Sequence, residues 1–92
     1  MQPYAKLRTA LQGSGFQAHH LIEQRFAGLM GQNVRQMASV AVNPAEHQAF
    51  TNAWRAAIPY GAGTQNATKE TVMRAARTIY AGHPALLEAL GL

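Results

Sequence analysis

The clearest pattern of hydrophobic and polar positions lies between Asn43 and Pro59. Asn43 is a candidate N-cap, Pro44 fits the first helical position, and Glu46 stands three residues after the cap. At about 100° per residue, one face collects the inward-pointing side chains of His47, Phe50, Thr51, Trp54 and Ile58. The pattern predicts a helix that ends before Pro59 and carries His47 in its first turn, on the packing face.

Other segments give weaker helical patterns. Residues 3–12 suit a helix that stops at Gly13, and residues 24–31 suit a short one that ends at Gly31. Residues 68–81 predict a longer helix, with Lys69, Arg74 and Arg77 on the side opposite its apolar positions, which are Val72, Ala75, Ala76 and Ile79. The stretch "PALLEAL" predicts a short last helix, whereas residues 32–36 and 60–66 read as connectors.

Two apolar runs predict strands, at residues 16–22 and 37–42. If they pair as a hairpin, the helix that starts at Asn43 packs across them. The predicted fold is mainly α with a small β-hairpin, an α+β class. At 92 residues the chain is expected to form one domain, 1–92.

Charge is scarce and mostly positive. Only 13% of residues are charged, against about 25% in typical soluble domains. There are four Glu and no Asp, and the formal net charge is +4. This excess favours a polyanionic partner, such as nucleic acid, an anionic membrane or an acidic protein. The absence of cysteine excludes disulfides and thiolate metal sites, and no run approaches the roughly 18 apolar residues of a membrane span.

The candidate chemistry lies in "AHHL", where two of the four histidines stand side by side in an apolar run. Neighbouring strand residues point to opposite faces, so one of the pair can face the helix and His47 while the other faces outward. Neutral imidazoles bind metal ions, and a free histidine is a general base near its own pKa. Phosphodiester hydrolysis needs both functions.

These features resemble those of a known family. "AHH", then "VAVNPAEH" about 27 residues further on, then "FTNAWRAAIPYG", is similar to the HNH/endonuclease VII (ββα-metal, His-Me finger) nucleases. Within them it looks most like the AHH-type nuclease domains at the C-termini of bacterial polymorphic toxins. The resemblance covers roughly residues 11–61. It implies a ββα-metal finger core at about 16–58, with packing helices at about 68–91.

The resemblance also implies roles for single residues. His19 matches a metal ligand, His20 the general base and His47 the later ligand. The family's middle asparagine corresponds to Asn33, in the loop, or to Asn43, which is either a ligand or simply the N-cap. Many relatives have a further histidine where this chain has Thr51, so the implied ligands are two histidines with water or with Asn43.

The implied cofactor is one divalent metal ion. Imidazole ligands without carboxylates favour Zn²⁺ or Ni²⁺. The resemblance makes Mg²⁺ or Mn²⁺ plausible as well, because such nucleases often bind these ions through few protein ligands and several waters.

Basic side chains are candidates for phosphate contacts. Arg25 and Arg55 lie nearest the supposed site along the chain, and either is a candidate to stabilise the transition-state phosphate. Arg55, together with Lys69, Arg74 and Arg77, is a candidate for contacts along a nucleic-acid backbone, although such a row is more often a solvated face.

The leading functional prediction is a metal-dependent endonuclease that cuts DNA with little sequence specificity, with RNA as a second possible substrate. The resemblance further implies the effector domain of a larger secreted antibacterial toxin, delivered to the target-cell cytoplasm and neutralised by an acidic immunity protein. The alternative is a non-catalytic basic helical module that binds nucleic acid or protein.

Overall fold

A three-stranded antiparallel sheet organises the computed structural model, which describes residues 2–92. Its strands are β1 (Gln2–Pro3), β2 (Gln17–His20) and β3 (Ala38–Val42), in the spatial order β1–β3–β2. The pairing of β2 with β3 confirms the predicted hairpin, while β1 was not predicted, because two residues are too few to show a period. Since β3 is central, β2 lies at an edge of the sheet.

The register of this pair decides which face each histidine occupies. His19 pairs with Val40, and His20 pairs with Ser39. Because side chains alternate along a strand, His19 lies on one face of the sheet and His20 on the other. The predicted separation of the doubled histidine is therefore confirmed.

Helices cover both faces, and the α+β class is confirmed. They are α1 (Tyr4–Ala10), α2 (Ala27–Met30), α3 (Pro44–Ala57), α4 (Ala62–Asn66), α5 (Lys69–Ile79) and α6 (Pro84–Ala89). Two predicted connectors contain helical turns, namely α4 and a 3₁₀ turn at Val34–Gln36. Both are too short to reveal a helical period. Within residues 2–92, no helix combines the length and apolarity needed to cross a bilayer, in line with the sequence.

The start of α3 is as the sequence predicts. The Asn43 side chain accepts a hydrogen bond from the Glu46 amide at 2.7 Å, and the Glu46 carboxylate accepts one from the Asn43 amide at 2.9 Å. Such a capping box pairs two amides at the helix end, and an N-cap contributes about 1 kcal/mol. The helix therefore begins at a fixed residue, and His47 lies in its first turn.

The core lies between the sheet, α3 and α5. Its fully buried members include Leu21, Phe26, Met37, Trp54, Val72 and Tyr80. The predicted inward positions of α5 are buried or half-buried, and Lys69, Arg74 and Arg77 are exposed. The segment after residue 61, which no motif covered, thus supplies one wall of the core, and Tyr80 reaches from it toward the histidines.

Candidate functional site

A cavity of ≈ 340 Å³ lies beside β2 and is lined by all three predicted site histidines, His19, His20 and His47. Because β2 is an edge strand, side chains from both of its faces reach this space. Its size is within the range of ordinary ligand pockets, about 300–1,000 Å³. The remaining lining residues are Tyr4, Ala18, Glu23, Gln24, Arg25, Thr51 and Tyr60.

His19 is the most enclosed of the three, with 4% of its surface exposed. Its ring stacks on Phe50, with centroids 5.0 Å apart, and meets the His47 ring edge-on at 5.5 Å. Its Nε2 lies 3.0 Å from the hydroxyl of Tyr80, which is 61 residues further along the chain. The imidazole is thus held between α3 and the residue that follows α5.

The partners of the Tyr80 hydroxyl determine which nitrogen of His19 carries the proton. The hydroxyl donates to the Leu21 carbonyl at 2.6 Å and accepts from the Trp54 indole N–H at 3.2 Å. Burial raises the pKa of the Tyr80 phenol, so it keeps its one proton. That proton goes to the carbonyl, which can only accept. His19 Nε2 must therefore donate to the hydroxyl, and the lone pair of His19 is on Nδ1.

The nitrogen that carries this lone pair is accessible to solvent, and His19 lines the cavity. Among the described residues no buried side-chain nitrogen or oxygen lacks a partner, so Nδ1, which has no protein partner, contacts solvent. Burial, and then the nearby His47 and His20, lower the pKa of His19 to about 4. His19 is consequently neutral at physiological pH, which is the state that binds metal ions.

The distance between the His19 and His47 ring centroids is compatible with two ligands of one ion. Metal–nitrogen bonds of about 2.0–2.1 Å and a ring radius of about 1.1 Å place the centroids of two imidazoles about 5.2 Å apart around a tetrahedral ion. The observed 5.5 Å fits that value. Thr51, where many of the resembled nucleases carry another histidine, lines the same cavity. Within residues 2–92 no group of three His, Cys, Asp or Glu side chains is placed to hold a metal ion.

His20 is held from two sides on the other face of the sheet. Its Nε2 donates to the Val34 carbonyl at 3.1 Å, and the Tyr4 ring stacks on it with centroids 3.9 Å apart. Since a nitrogen that donates to a carbonyl carries the hydrogen, the lone pair of His20 is on Nδ1. Burial lowers the pKa of His20, and the hydrogen bond to Val34 opposes this shift. The ring is a neutral base with a fixed orientation.

The face of His20 is less open than the sequence suggested, because α1 covers part of it through Tyr4. Sequence reasoning missed Tyr4 and Tyr80 as neighbours of the site. A signal for Tyr80 existed: it lies four residues after Ala76, on the predicted inward face of its helix. Its partner across the core could not be read from that pattern.

The two candidate asparagines have different surroundings. Asn33 caps the turn at Val34–Gln36 by accepting from the Arg35 amide at 2.9 Å, next to the carbonyl that holds His20. Asn43, which the structure describes, is exposed and caps α3, and it does not line the cavity. The N-cap role that the sequence also allowed is therefore observed, and a metal-binding role for Asn43 stays a prediction.

Arg25 lines the cavity, but its guanidinium is engaged by the protein. Its side chain is 14% exposed, and Nε donates to the Glu23 carboxylate at 2.8 Å. The other four N–H groups point to oxygen atoms at the end of α3 and just beyond, in Trp54, Ile58, Pro59 and Thr64. A cation at a helix C-terminus stabilises its free carbonyls. Arg25 thus connects the segment after β2 to the end of α3. A contact between Arg25 and phosphate stays a prediction.

The remaining basic candidates lie at different distances from the cavity. Arg55 is exposed, with its guanidinium carbon 5.1 Å from the centroid of Tyr60, a lining residue. Lys69, Arg74 and Arg77 are exposed on α5 and outside the cavity lining. Arg55 therefore packs against a residue of the cavity lining.

Comparison with family profiles, curated proteins and solved structures finds no match to this chain. The chemical evidence for a function consequently consists of the three histidines, the tautomers their partners impose and the basic side chains around them.

Proposed function

We propose that this chain is a metal-dependent endonuclease of the ββα-metal (His-Me finger) kind, which hydrolyses DNA with little sequence specificity. The observation that carries the proposal is the shared cavity, where His19 and His20 each donate through Nε2 to the protein and keep Nδ1 unprotonated. The order β2, β3, α3, with His47 in the first turn of α3, supports the same reading.

His20 is the proposed general base. Its Nδ1 accepts a proton from the attacking water, and the Val34 carbonyl accepts a hydrogen bond from Nε2 both before and after that transfer. The stacked Tyr4 ring keeps the imidazole plane in place. A positioned base of this kind contributes roughly 10²- to 10⁴-fold in rate.

His19 Nδ1 and His47 are the proposed protein ligands of one divalent ion, with water or Asn43 completing the set. When bound, such an ion stabilises charge on the phosphate and on the leaving oxygen. Two imidazoles suit Zn²⁺ or Ni²⁺ by ligand type, and a site that keeps several waters also suits Mg²⁺ or Mn²⁺. Tyr80 keeps the donor atom of His19 directed at the cavity by accepting from its other nitrogen.

The biological part of the proposal follows from the resemblance and the charge. We propose an effector domain of a larger secreted antibacterial toxin that acts in the target-cell cytoplasm. Its partner in the producing cell is an acidic immunity protein. A formal net charge of +4 with no Asp supports both DNA and an acidic immunity protein as partners, because attraction between opposite charges speeds association. The Arg55 side chain and the α5 row are the surfaces proposed for phosphate contacts.

The test is cleavage of supercoiled plasmid with each divalent ion and with EDTA. We expect nicking that EDTA abolishes, and a loss of roughly 10²- to 10⁴-fold for His20→Ala. His83→Ala is the matched control, because His83 is exposed and outside the cavity. Plasmid that stays intact but migrates more slowly in a gel would favour the non-catalytic binding module. Cleavage of RNA but not of DNA would make RNA the substrate.

A further inference from the structure

Two more concave surfaces continue from the histidine cavity around α1. One, of ≈ 390 Å³, lies between α1 and the segment before β2, and the other, of ≈ 290 Å³, lies between α1 and the turn at Val34. Tyr4 lines all three spaces, and His47 lines both the histidine cavity and the first of these two. We call the two together the α1 groove; its lining includes Tyr4, Arg8, Gln12, Phe16, Gln17 and Arg35.

The α1 groove is cationic. Arg8 lines both parts of it and Arg35 lines one, and no acidic residue is among the described residues of its lining. The four glutamates are elsewhere: Glu23 pairs with Arg25, Glu46 caps α3, and the other two lie in α5 and α6. A concave surface lined by one sign of charge concentrates oppositely charged ligands.

The groove also presents an exposed aromatic ring. Phe16 is 53% exposed, and its amide donates to the Ser14 hydroxyl at 3.1 Å, which itself donates to the Leu11 carbonyl at 2.6 Å. Gly13 and Gly15, both with positive φ, make the tight turn possible. A single exposed phenylalanine is ordinary. This one is held by its turn against a wall that also carries Arg8 and two glutamine amides.

We propose that the α1 groove binds single-stranded DNA, with phosphates at Arg8 and Arg35 and an unpaired base stacked on Phe16. Phosphate contacts alone would serve a duplex equally well, but a phenyl ring in a cationic groove offers the stacking platform that single-strand binding uses. The strand continues past Tyr4 toward His20. Its cleavage there depends on the proposed function, whereas its binding does not.

The proposal differs from the sequence-based expectation for Lys69, Arg74 and Arg77. Those side chains lie on the outer face of α5 and line neither the histidine cavity nor the α1 groove. Arg8 shares a concave wall with His47, so a phosphate bound at Arg8 belongs to a strand that can enter the histidine cavity.

The experiment measures the binding of a fluorescent single-stranded oligonucleotide and of its duplex by anisotropy, in EDTA so that neither is cut. We expect the parent protein to prefer the single strand, and Phe16→Ala to weaken that affinity roughly 5- to 150-fold, the effect of one stacked base. The matched control is Leu29→Ala, which removes a similarly exposed apolar side chain (43%) from α2 and should change neither affinity by more than about 2-fold.

Arg8→Ala should weaken both ligands and lower the slope of log affinity against log salt by about 0.7–0.9. Lys6→Ala removes the same charge from α1 at an exposed position outside the groove lining, and should have a smaller effect. The proposal is overturned if Phe16→Ala leaves the single-strand affinity unchanged, if the duplex is preferred, or if Arg74→Ala matters more than Arg8→Ala. If the oligonucleotide binds as expected but the plasmid is never nicked, the nuclease proposal is overturned and the proposal that the α1 groove binds single-stranded DNA stands.

Discussion

Replacing Tyr80 with phenylalanine removes one oxygen and leaves three buried groups without their partner. These are the indole N–H of Trp54, the Nε2–H of His19 and the Leu21 carbonyl. An intramolecular hydrogen bond contributes about 1 kcal/mol net, and a buried polar group left unpaired costs about 1–3 kcal/mol. Three such groups at the low end of that range set a lower limit of about 3 kcal/mol on the fall in the free energy of unfolding.

That loss is large for a domain whose total stability is about 5–15 kcal/mol. Urea unfolding of the metal-free protein, followed by tryptophan fluorescence, measures it directly. With a slope of about 1–3 kcal/mol per molar, a loss of about 3 kcal/mol shifts the midpoint by roughly 1–3 M. Tyr60→Phe is the control, because it makes the same chemical change at a residue that is 50% exposed.

The reasoning would be refuted by a Tyr80→Phe midpoint that matches that of Tyr60→Phe. A second readout concerns the tautomer. Nitrogen-15 spectra of the parent protein should show His19 protonated at Nε2, and Tyr80→Phe should allow both tautomers, because the acceptor that selects one is gone. A parent His19 protonated at Nδ1 would contradict the proton assignment even if stability changed as expected.

Three further outcomes are expected. Without metal, the free energy of unfolding should fall by about 2 kcal/mol from pH 7 to pH 5, because the unfolded chain protonates His19 near pH 6.5 while the pKa of His19 in the folded protein is about 4. Urea midpoints at both pH values check this, and His19→Gln should remove most of the dependence of stability on pH. Arg25→Met should lower the melting temperature far more than Arg55→Met, since it leaves buried or half-buried oxygens at the end of α3 unpaired. Calorimetric titration should show weaker metal binding for His19→Ala and His47→Ala, and unchanged affinity in both would exclude them as ligands.

Local signals in the sequence were sufficient for the elements that carry the histidines. Asn43, Pro44 and Glu46 predicted where α3 begins, since a capping box depends only on neighbouring residues. The alternation around His19 and His20 likewise predicted that they lie on opposite faces of the hairpin. The positions of side chains on regular elements with nearby caps can therefore be predicted from a single sequence.

Contacts between distant parts of the chain were not predictable. The bond from His19 to Tyr80 spans 61 residues, and Arg25 reaches carbonyls 29 to 34 residues away. Nothing local distinguishes Arg25 as the partner of a helix end from an arginine that contacts phosphate. The tautomers of His19 and His20 depend on such partners, so the sequence predicted that the histidines lie near one another without predicting which of their nitrogens are free.

The two tyrosines beside the histidines have a consequence for synthesis of the chain. Tyr4, which stacks on His20, precedes β2 in the chain, whereas Tyr80, which accepts from His19, follows α3 and α5. A nascent chain that contains β2, β3 and α3 but stops before Tyr80 lacks the acceptor that directs the lone pair of His19. The histidine arrangement is thus complete only after Tyr80 has been synthesised, and a chain truncated before Tyr80 would keep the partners of His20 but lose the acceptor that fixes the tautomer of His19.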